Sequence, residues 1–132
     1  MEVIITDWAL NSYLDLKHKR AFTKEEYKTI LKPNVMLLKN YPNNAKFQLQ
    51  QFWSFAESPS GQKINNGFKM KWDSLGNGLI ELRLPVAIFS DASLFEAYVK
   101  SDDKKDKRML ARFKTHLQLF LENKYTERGK LK

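Results

Sequence analysis

Two spacings of hydrophobic residues divide the chain into a helical first half and a second half that begins with strands. The chain opens with a β-branched run at residues 2–6, which predicts a short strand. Apolar residues at helical spacing follow it. They predict a helix over residues 8–18 with Asp7 as its N-cap.

The next region contains one clear helix start and one ambiguous segment. Thr23 and Glu26 have the spacing of a capping box, which predicts that a helix begins there. Pro33 either ends this helix, because proline lacks an N–H, or occupies the first position of a new helix over residues 35–39. A break follows at residues 41–44. Residues 46–56 fit neither period well, and we interpret them as helical.

Beyond residue 61 the hydrophobic pattern alternates with a period of two, which predicts two strands of a hairpin. The alternating apolar residues are Phe68, Met70 and Trp72, followed by Ile80, Leu82 and Leu84. Asn77 and Gly78 between them are a strong hairpin-turn signal. Pro85 interrupts the second strand and indicates a bulge or a sheet edge.

The remaining residues predict one more strand and a long helix. After a turn at residues 90–93, residues 94–100 return as the last strand, and a helix with an apolar stripe covers residues 103–124. Residues 127–132 are expected to fray. The predicted fold is a single α+β domain over residues 1–132. It has an N-terminal strand and helices, then a three-stranded antiparallel meander and a C-terminal helix, with all helices packed on one sheet face.

Charge and composition narrow the class of partner. The chain has 132 residues, a net charge of +8 and a sequence pI of about 9.6. A positive excess of this size favours a polyanionic partner, which is RNA, DNA or an acidic protein. The hydrophobic fraction of 42% is enough for a core. No cysteine is present, so disulfides and thiolate metal sites are excluded.

Several expectations concern location and metal binding. Glu2 and Asp7 at the N-terminus are untypical of a signal or transit peptide. No apolar run reaches the ~18 residues of a membrane span. We therefore expect a cytoplasmic protein with no membrane partner. The two histidines, His18 and His116, are far apart in sequence, so we expect no metal site, and we interpret His116 as structural.

Four side chains are candidates for a reactive site on the predicted sheet. Neighbouring residues of a strand point to opposite faces, so Lys69 and Lys71 share the face that Phe68, Met70 and Trp72 do not use. Arg83 and Tyr98 join them on one exposed sheet face if the following strands pair as predicted. RNA cleavage without a metal needs a proton acceptor and a charge that stabilises the phosphate, and crowded lysines with an arginine meet both needs. Alternating lysines are also ordinary on a solvated sheet face.

A family resemblance gives this pattern a function. Glu57-Ser58-Pro59, then the strand of residues 68–71 and an arginine, Arg83, on the next strand resemble the RelE branch of the RelE/ParE superfamily of toxin–antitoxin toxins. The resemblance implies a ribosome-dependent endoribonuclease that cleaves mRNA by metal-independent attack of the 2′-OH, needs no cofactor and is neutralised by a cognate antitoxin. It assigns proton transfer and charge stabilisation to Lys69 and Lys71, and contact with the scissile phosphate to Arg83.

The resemblance is incomplete near the C-terminus. RelE-like enzymes carry a tyrosine there and HigB-like relatives a histidine, whereas residues 101–112 contain neither an aromatic residue nor a histidine. Tyr98 and His116 are the substitutes that the chain offers, and we assign the catalytic role to Tyr98. Basic residues in the same region are candidate RNA-binding residues. They are Lys100, Lys104, Lys105, Lys107, Arg108 and Arg112. Two alternatives stay open: a ParE-like toxin that poisons DNA gyrase, and a non-catalytic RNA-binding module.

Overall fold

The computed structural model describes residues 1–132 as a mixed sheet with helices against it. The sheet has seven strands. They are β1 (Val3–Thr6), β2 (Trp53–Glu57), β3 (Lys63–Ser74), β4 (Ile80–Ile88), β5 (Ala92–Leu94), β6 (Tyr98–Val99) and β7 (Glu127–Lys130). The α+β class is therefore confirmed, although the sheet is larger than the predicted meander.

The helices fall into three groups along the chain. The first helix is Asp7–His18, and the C-terminal helix is Asp103–Leu121. Between them, the helical segment of residues 24–40 is built from four short pieces. These are the α-helical Lys24–Glu26, the π-helical Tyr27–Leu31, the α-helical Lys32–Met36 and the 3₁₀-helical Leu37–Asn40. A further 3₁₀ turn covers Ala45–Gln48.

The strand order is β2-β3-β4-β5-β1-β7, and β6 lies beside β4 next to β5. β1 runs parallel to β5, and every other pair is antiparallel. The predicted meander corresponds to β3, β4 and the short strands that pair with β4. The N-terminal strand thus lies inside the sheet, with the C-terminal residues at its outer edge.

Helices pack on both faces of the sheet, so the prediction that they share one face is wrong. Leu82, Leu84 and Val86 of β4 belong to the larger core, together with the first helix and residues 24–40. Ala87, which directly follows Val86 in the strand, packs with Phe113 of the C-terminal helix in the smaller core. Neighbouring strand residues face opposite ways, which places the C-terminal helix on the other face of the sheet.

The local signals of the N-terminal half are largely confirmed. The first helix has the predicted extent, but Thr6 caps it rather than Asp7, because the Thr6 hydroxyl accepts a hydrogen bond from Ala9 N. Thr23 and Glu26 form the predicted capping box. Pro33 lies in the first turn of Lys32–Met36, where its missing N–H is tolerated, and it does not stop the helical segment.

Several boundaries in the second half differ from the prediction. Residues 53–57 are strand β2, not helix, because Trp53 and Phe55 pair across from Met70 and Phe68 of β3. The hairpin turn is real: the predicted turn residues Asn77 and Gly78 both have positive φ, and Gly76 before them does too.

Pro85 lies inside the sheet, not at an edge. It is paired with β3 on one side, and on the other side the partner of β4 changes from β6 to β5 at this point. The ladder there needs no donor from residue 85, and Pro85 O still accepts a hydrogen bond from Phe95 N at 3.0 Å.

The last elements are shorter or more ordered than predicted. The predicted strand over residues 94–100 is reduced to β6, and the C-terminal helix ends at Leu121 rather than at residue 124. The residues expected to fray include β7, which pairs with β1. None of the helices combines the length and apolarity that crossing a membrane requires.

Candidate RNA-binding and cleavage site

The structure brings the four candidate catalytic side chains to one face of the sheet. Lys69 and Lys71 are two residues apart on β3, Lys71 is directly opposite Arg83 on β4, and Arg83 is directly opposite Tyr98 on β6. Directly paired residues of antiparallel strands project to the same side. The four side chains therefore form one group, which we call the cationic cluster.

Lys71 and Arg83 form an especially close pair. Lys71 N donates a hydrogen bond to Phe52 O at 2.8 Å, so the Lys71 backbone bonds towards β2 and away from β4. The Lys71–Arg83 pair is then a non-hydrogen-bonded one, in which the Cα atoms lie ~4.5 Å apart. Two cations are thus held directly opposite each other, an arrangement that is electrostatically unfavourable.

This crowding affects the protonation of Lys71. Burial lowers the pKa of the half-buried Lys71 amine below its usual range, and the neighbouring charges of Lys69 and Arg83 lower it further. Both causes disfavour the charged ammonium form. A larger fraction of Lys71 is therefore neutral, and free to accept a proton, than of an ordinary surface lysine.

Arg83 is not on an open surface, contrary to the expectation from the alternating pattern. Its side chain is only 6% exposed. One guanidinium nitrogen donates to Asp73 Oδ1 at 2.7 Å and to the backbone oxygen of Leu82 at 3.1 Å. A buried arginine needs such partners, and Asp73 supplies the opposite charge. Arg83 thus contributes a fixed positive charge beside Lys71, rather than a guanidinium exposed to a phosphate.

Asp106 is a member of the site that the sequence analysis did not identify. It lies in the first turns of the C-terminal helix, and one carboxylate oxygen is 3.3 Å from Lys69 Nζ while the other accepts a hydrogen bond from the Tyr98 hydroxyl. The signal was present in the sequence. Asp106 is spaced 4 and 7 residues before the buried Leu110 and Phe113, on the inward stripe of the helix.

Tyr98 is buried beneath this carboxylate. Burial raises the pKa of the Tyr98 phenol well above its usual range, and the hydrogen bond to Asp106 raises it further. The hydroxyl therefore remains protonated and acts as a donor. An anion placed where the Asp106 carboxylate lies would receive hydrogen bonds from both Tyr98 and Lys69.

The C-terminal helix therefore covers part of the cationic cluster, and the expectation of an open face is wrong. Beside the covered part, a polar cleft opens between β2, the loop of residues 58–61 and the C-terminal helix. Its charged lining residues are Glu57, Lys63, Lys69, Asp106 and Lys107. Lys69 thus belongs both to the cluster and to the cleft, and it connects the two.

An exposed aromatic ring lies at the sheet edge, on the face opposite to the cationic cluster. The Phe55 side chain on β2 is 50% exposed, and Lys63 Nζ lies 3.9 Å from the centre of its ring. Phe55 stacks in turn on Phe68 of β3, with ring centres 5.2 Å apart. Because Phe55 pairs with Phe68, which packs on the larger core, this ring does not point into the cleft between the sheet and the C-terminal helix.

The candidate RNA-binding residues of the C-terminal region divide into two sets. Lys100 pairs with Asp103 at 3.4 Å, and Arg112 forms a two-fold pair with Glu96 at 2.9 and 3.1 Å. Lys105 is half-buried and donates its backbone N–H to the helix cap Asp102. The remaining three are exposed and form no ion pair within the chain. They are Lys104, Lys107 and Arg108, which lie on adjoining turns of the helix.

The other residues considered from sequence are structural. His116 is buried and stacks on Trp8, with ring centres 4.4 Å apart, and burial lowers the pKa of its imidazole. Trp53 and Trp72 are buried in the larger core. No three histidine or carboxylate side chains lie together in the way that a metal site requires.

Comparisons with known proteins identify no relative of this chain. No family model, curated protein or solved structure matches it. The resemblance to the RelE branch therefore rests on the short motifs of residues 57–59, 68–71 and 83, and it stays a prediction.

Proposed function

We propose that the protein binds single-stranded RNA in the polar cleft and cleaves it at the cationic cluster, as a RelE-like toxin that acts on mRNA at the ribosome. The observation that carries the proposal is the position of Lys71. Its amine is half-buried, two residues from Lys69 and directly opposite Arg83, and its pKa is lowered. A lysine in this setting loses its proton more readily than an exposed lysine and is suited to act as a base.

The proposed reaction uses only groups of the chain. The 2′-oxygen of a nucleotide attacks the neighbouring phosphorus while its proton passes to the neutral Lys71 amine. The bond from phosphorus to the 5′-oxygen then breaks, and that oxygen takes a proton from the Lys69 ammonium. The products are a 2′,3′-cyclic phosphate and a 5′-hydroxyl, and solvent exchange restores the two lysines.

Arg83 and Tyr98 have supporting roles in this proposal. The fixed charge of Arg83 adds to the effects of burial and of Lys69 in lowering the pKa of Lys71, and it attracts the phosphate electrostatically, without touching it. Tyr98 is a protonated donor that stabilises negative charge on a phosphate oxygen. Asp106 occupies the place of that phosphate in the RNA-free protein, so RNA must displace its carboxylate from Lys69 and Tyr98.

RNA binding itself is assigned to the cleft and to the exposed basic residues of the C-terminal helix. Lys63 and Lys107 line the cleft, and Lys104 and Arg108 continue the positive surface along the helix. Phosphate contacts of this kind make binding weaken steeply as salt increases.

A second candidate function is RNA binding without cleavage. The burial of Arg83 and the cover by Asp106 favour it, since both remove groups that a nuclease would present to its substrate. Binding then depends on the cleft lysines alone. The lowered pKa of Lys71 is in that case a consequence of its packing and has no catalytic role. The two candidates differ in whether RNA is cut.

A variant pair in cells separates the candidates. We expect expression of the native chain to arrest growth and to produce codon-phased mRNA cuts in primer extension, and Lys71→Met to abolish both. Arg83 is left unchanged because its removal would leave Asp73 unpaired in the fold. Lys28→Met, at an exposed position of the helical segment, is the matched control and is expected to behave as the native chain.

Each alternative has its own result in that experiment. Growth arrest with DNA damage and intact transcripts would instead support a ParE-like poison of DNA gyrase. Normal growth, together with salt-sensitive RNA binding by the purified protein, would support the non-catalytic module. Cuts that persist in Lys71→Met would remove Lys71 from the reaction.

The pH dependence of cleavage tests the proton acceptor. A base works only when deprotonated, so the rate is expected to rise with pH and to level off above the lowered pKa of Lys71. The measurement uses purified protein, ribosomes and mRNA at constant ionic strength. A rate that falls over the same range would contradict this role.

The toxin proposal also includes an antitoxin. A partner that covers the cationic cluster and the cleft must be acidic where it contacts Lys63, Lys104 and Lys107. Co-expression with the product of the neighbouring reading frame is expected to restore growth if that product is short and acidic.

A further inference from the structure

An apolar cavity lies on the face of the sheet opposite to the cationic cluster, between the sheet, the first helix and the helical segment of residues 24–40. Its volume is about 220 Å³, and fifteen of its sixteen lining residues are hydrophobic. Leu82, Leu84 and Trp72 form part of the sheet side, and Ala9 and Leu16 part of the helix side.

The cavity is partly open to solvent, and it is larger than the voids of a packed core, few of which exceed one water molecule. Water gains nothing from entering an apolar cavity, whereas an apolar cavity of about 150 Å³ is known to bind benzene. A cavity of about 220 Å³ therefore suits an apolar ligand of about eight or nine carbon atoms, by proportion.

A local distortion of the backbone lies at the same place. Residues Tyr27–Leu31 form a π-helical turn within the helical segment, and both Tyr27 and Leu31 line the cavity. π-helical turns are rare and are frequently found at functional sites. Pro33, two positions after the turn, lacks the N–H that would bond back to residue 29, which gives the distortion a local cause as well.

One lining residue is charged. Lys32 is half-buried, directly follows the π-helical turn, and takes part in none of the ion pairs of the chain. An ammonium at an otherwise apolar cavity is complementary to a ligand with one anionic end.

We propose that this cavity binds a medium-chain carboxylate, with the hydrocarbon chain between the sheet and the two helices and the carboxylate at Lys32. The site is separate from the RNA face and does not rest on the proposed function. Leu94, on β5, contributes its side chain to the cavity wall and offers a position for filling it.

Octanoate and octanol, which share one chain length and differ in charge, are the probes. We expect octanoate to raise the melting temperature of the full chain and to shift the NMR methyl signals of Leu82 and Leu84. Leu94→Phe fills the cavity and is expected to abolish both effects. Leu79→Phe makes the same change at a side chain that is 88% exposed, and it is expected to leave them intact.

The charge of the ligand is tested by Lys32→Gln. This variant is expected to weaken octanoate binding by about three- to tenfold and to leave octanol binding unchanged, because only the carboxylate uses the ammonium. Equal weakening of both probes would overturn the assignment of the carboxylate to Lys32.

Two results would overturn the cavity site itself. One is equal binding of octanoate to Leu94→Phe and to the native chain. The other is a set of methyl shifts confined to Leu110 and Leu117, which lie in the other core and would place the ligand elsewhere. This second result is measured on the native chain, so it does not depend on whether the variant folds.

Discussion

The carboxylate of Asp106 joins the C-terminal helix to the cationic cluster, and its replacement by asparagine tests that link. Asp106 accepts from Tyr98, which is 3% exposed, and pairs with Lys69 at 3.3 Å. Asparagine keeps the shape and one acceptor but loses the charge. A hydrogen bond to an ionised partner contributes ~1.5–3 kcal/mol, so we expect Asp106→Asn to lower the free energy of unfolding by ~1–2 kcal/mol.

The same substitution is expected to strengthen RNA binding. A charge about 7 Å from a phosphate contributes ~0.6 kcal/mol in water and more in a partly buried site. Removing the negative charge therefore strengthens binding by about two- to fivefold. Urea unfolding measures the stability, and fluorescence anisotropy with a single-stranded RNA at fixed ionic strength measures the affinity.

Asp103→Asn is the matched control, because it removes the same charge from the same helix. The Asp103 side chain is 90% exposed and lies 3.4 Å from Lys100. Surface pairs of this kind contribute at most ~1 kcal/mol, and we expect a loss of less than about 0.5 kcal/mol and a smaller gain in affinity. Equal effects of the two substitutions on both measurements would refute the link through Asp106.

Two further predictions concern the contact of the C-terminal helix with the rest of the fold. Gly67→Ala is expected to lower the free energy of unfolding by ~1–3 kcal/mol in urea unfolding, since a Cβ there would lie 3.0 Å from side-chain atoms of both Ile64 and Phe113; an unchanged midpoint would contradict this close approach. The lowered pKa of His116 predicts stability that is present above about pH 6.5 and is lost as the pH falls through the folded-state pKa. Urea unfolding at about pH 7.5 and about pH 5 measures the loss of stability between the two pH values. We expect a smaller loss in His116→Gln than in the native chain, and an unchanged loss in the exposed control His18→Gln. Equal losses in the two variants would contradict the assignment to His116.

Local signals in the sequence predicted the elements that depend on local physics. The capping box at Thr23 and Glu26 marks a helix start, because both partners lie within one turn. The alternation of residues 68–72 fixes one face of β3, so the common side of Lys69 and Lys71 followed from spacing alone.

The sheet order could not be predicted in this way. β1 pairs with β5 about 89 positions later in the chain (Val3 with Ala92), and β7 pairs with β1. No periodic pattern specifies which distant strands meet, since many orders bury the same apolar faces. Residues 53–57 were misjudged for the same reason, because their strand character depends on pairing with β3.

The sequence predicted which side chains of the sheet form the site. It did not predict that the C-terminal helix and Asp106 lie over them. Arginine is rarely buried, and the burial of Arg83 depends on Asp73, which the hairpin brings beside it. Asp106 reaches Lys69 only because the C-terminal helix packs on that face of the sheet. Both contacts follow from tertiary packing, which sequence spacing does not encode.

The most direct test of the account is where RNA contacts the protein. Lysine ¹³Cε signals are followed by NMR while a single-stranded RNA is added at low salt, in the native chain and in Asp106→Asn. We expect the signals of Lys69 and Lys71 to shift together, at lower RNA concentration in Asp106→Asn, while that of the exposed Lys28 stays in place. Shifts at Lys28 with unchanged signals at Lys69 and Lys71 would contradict an RNA site at the cationic cluster.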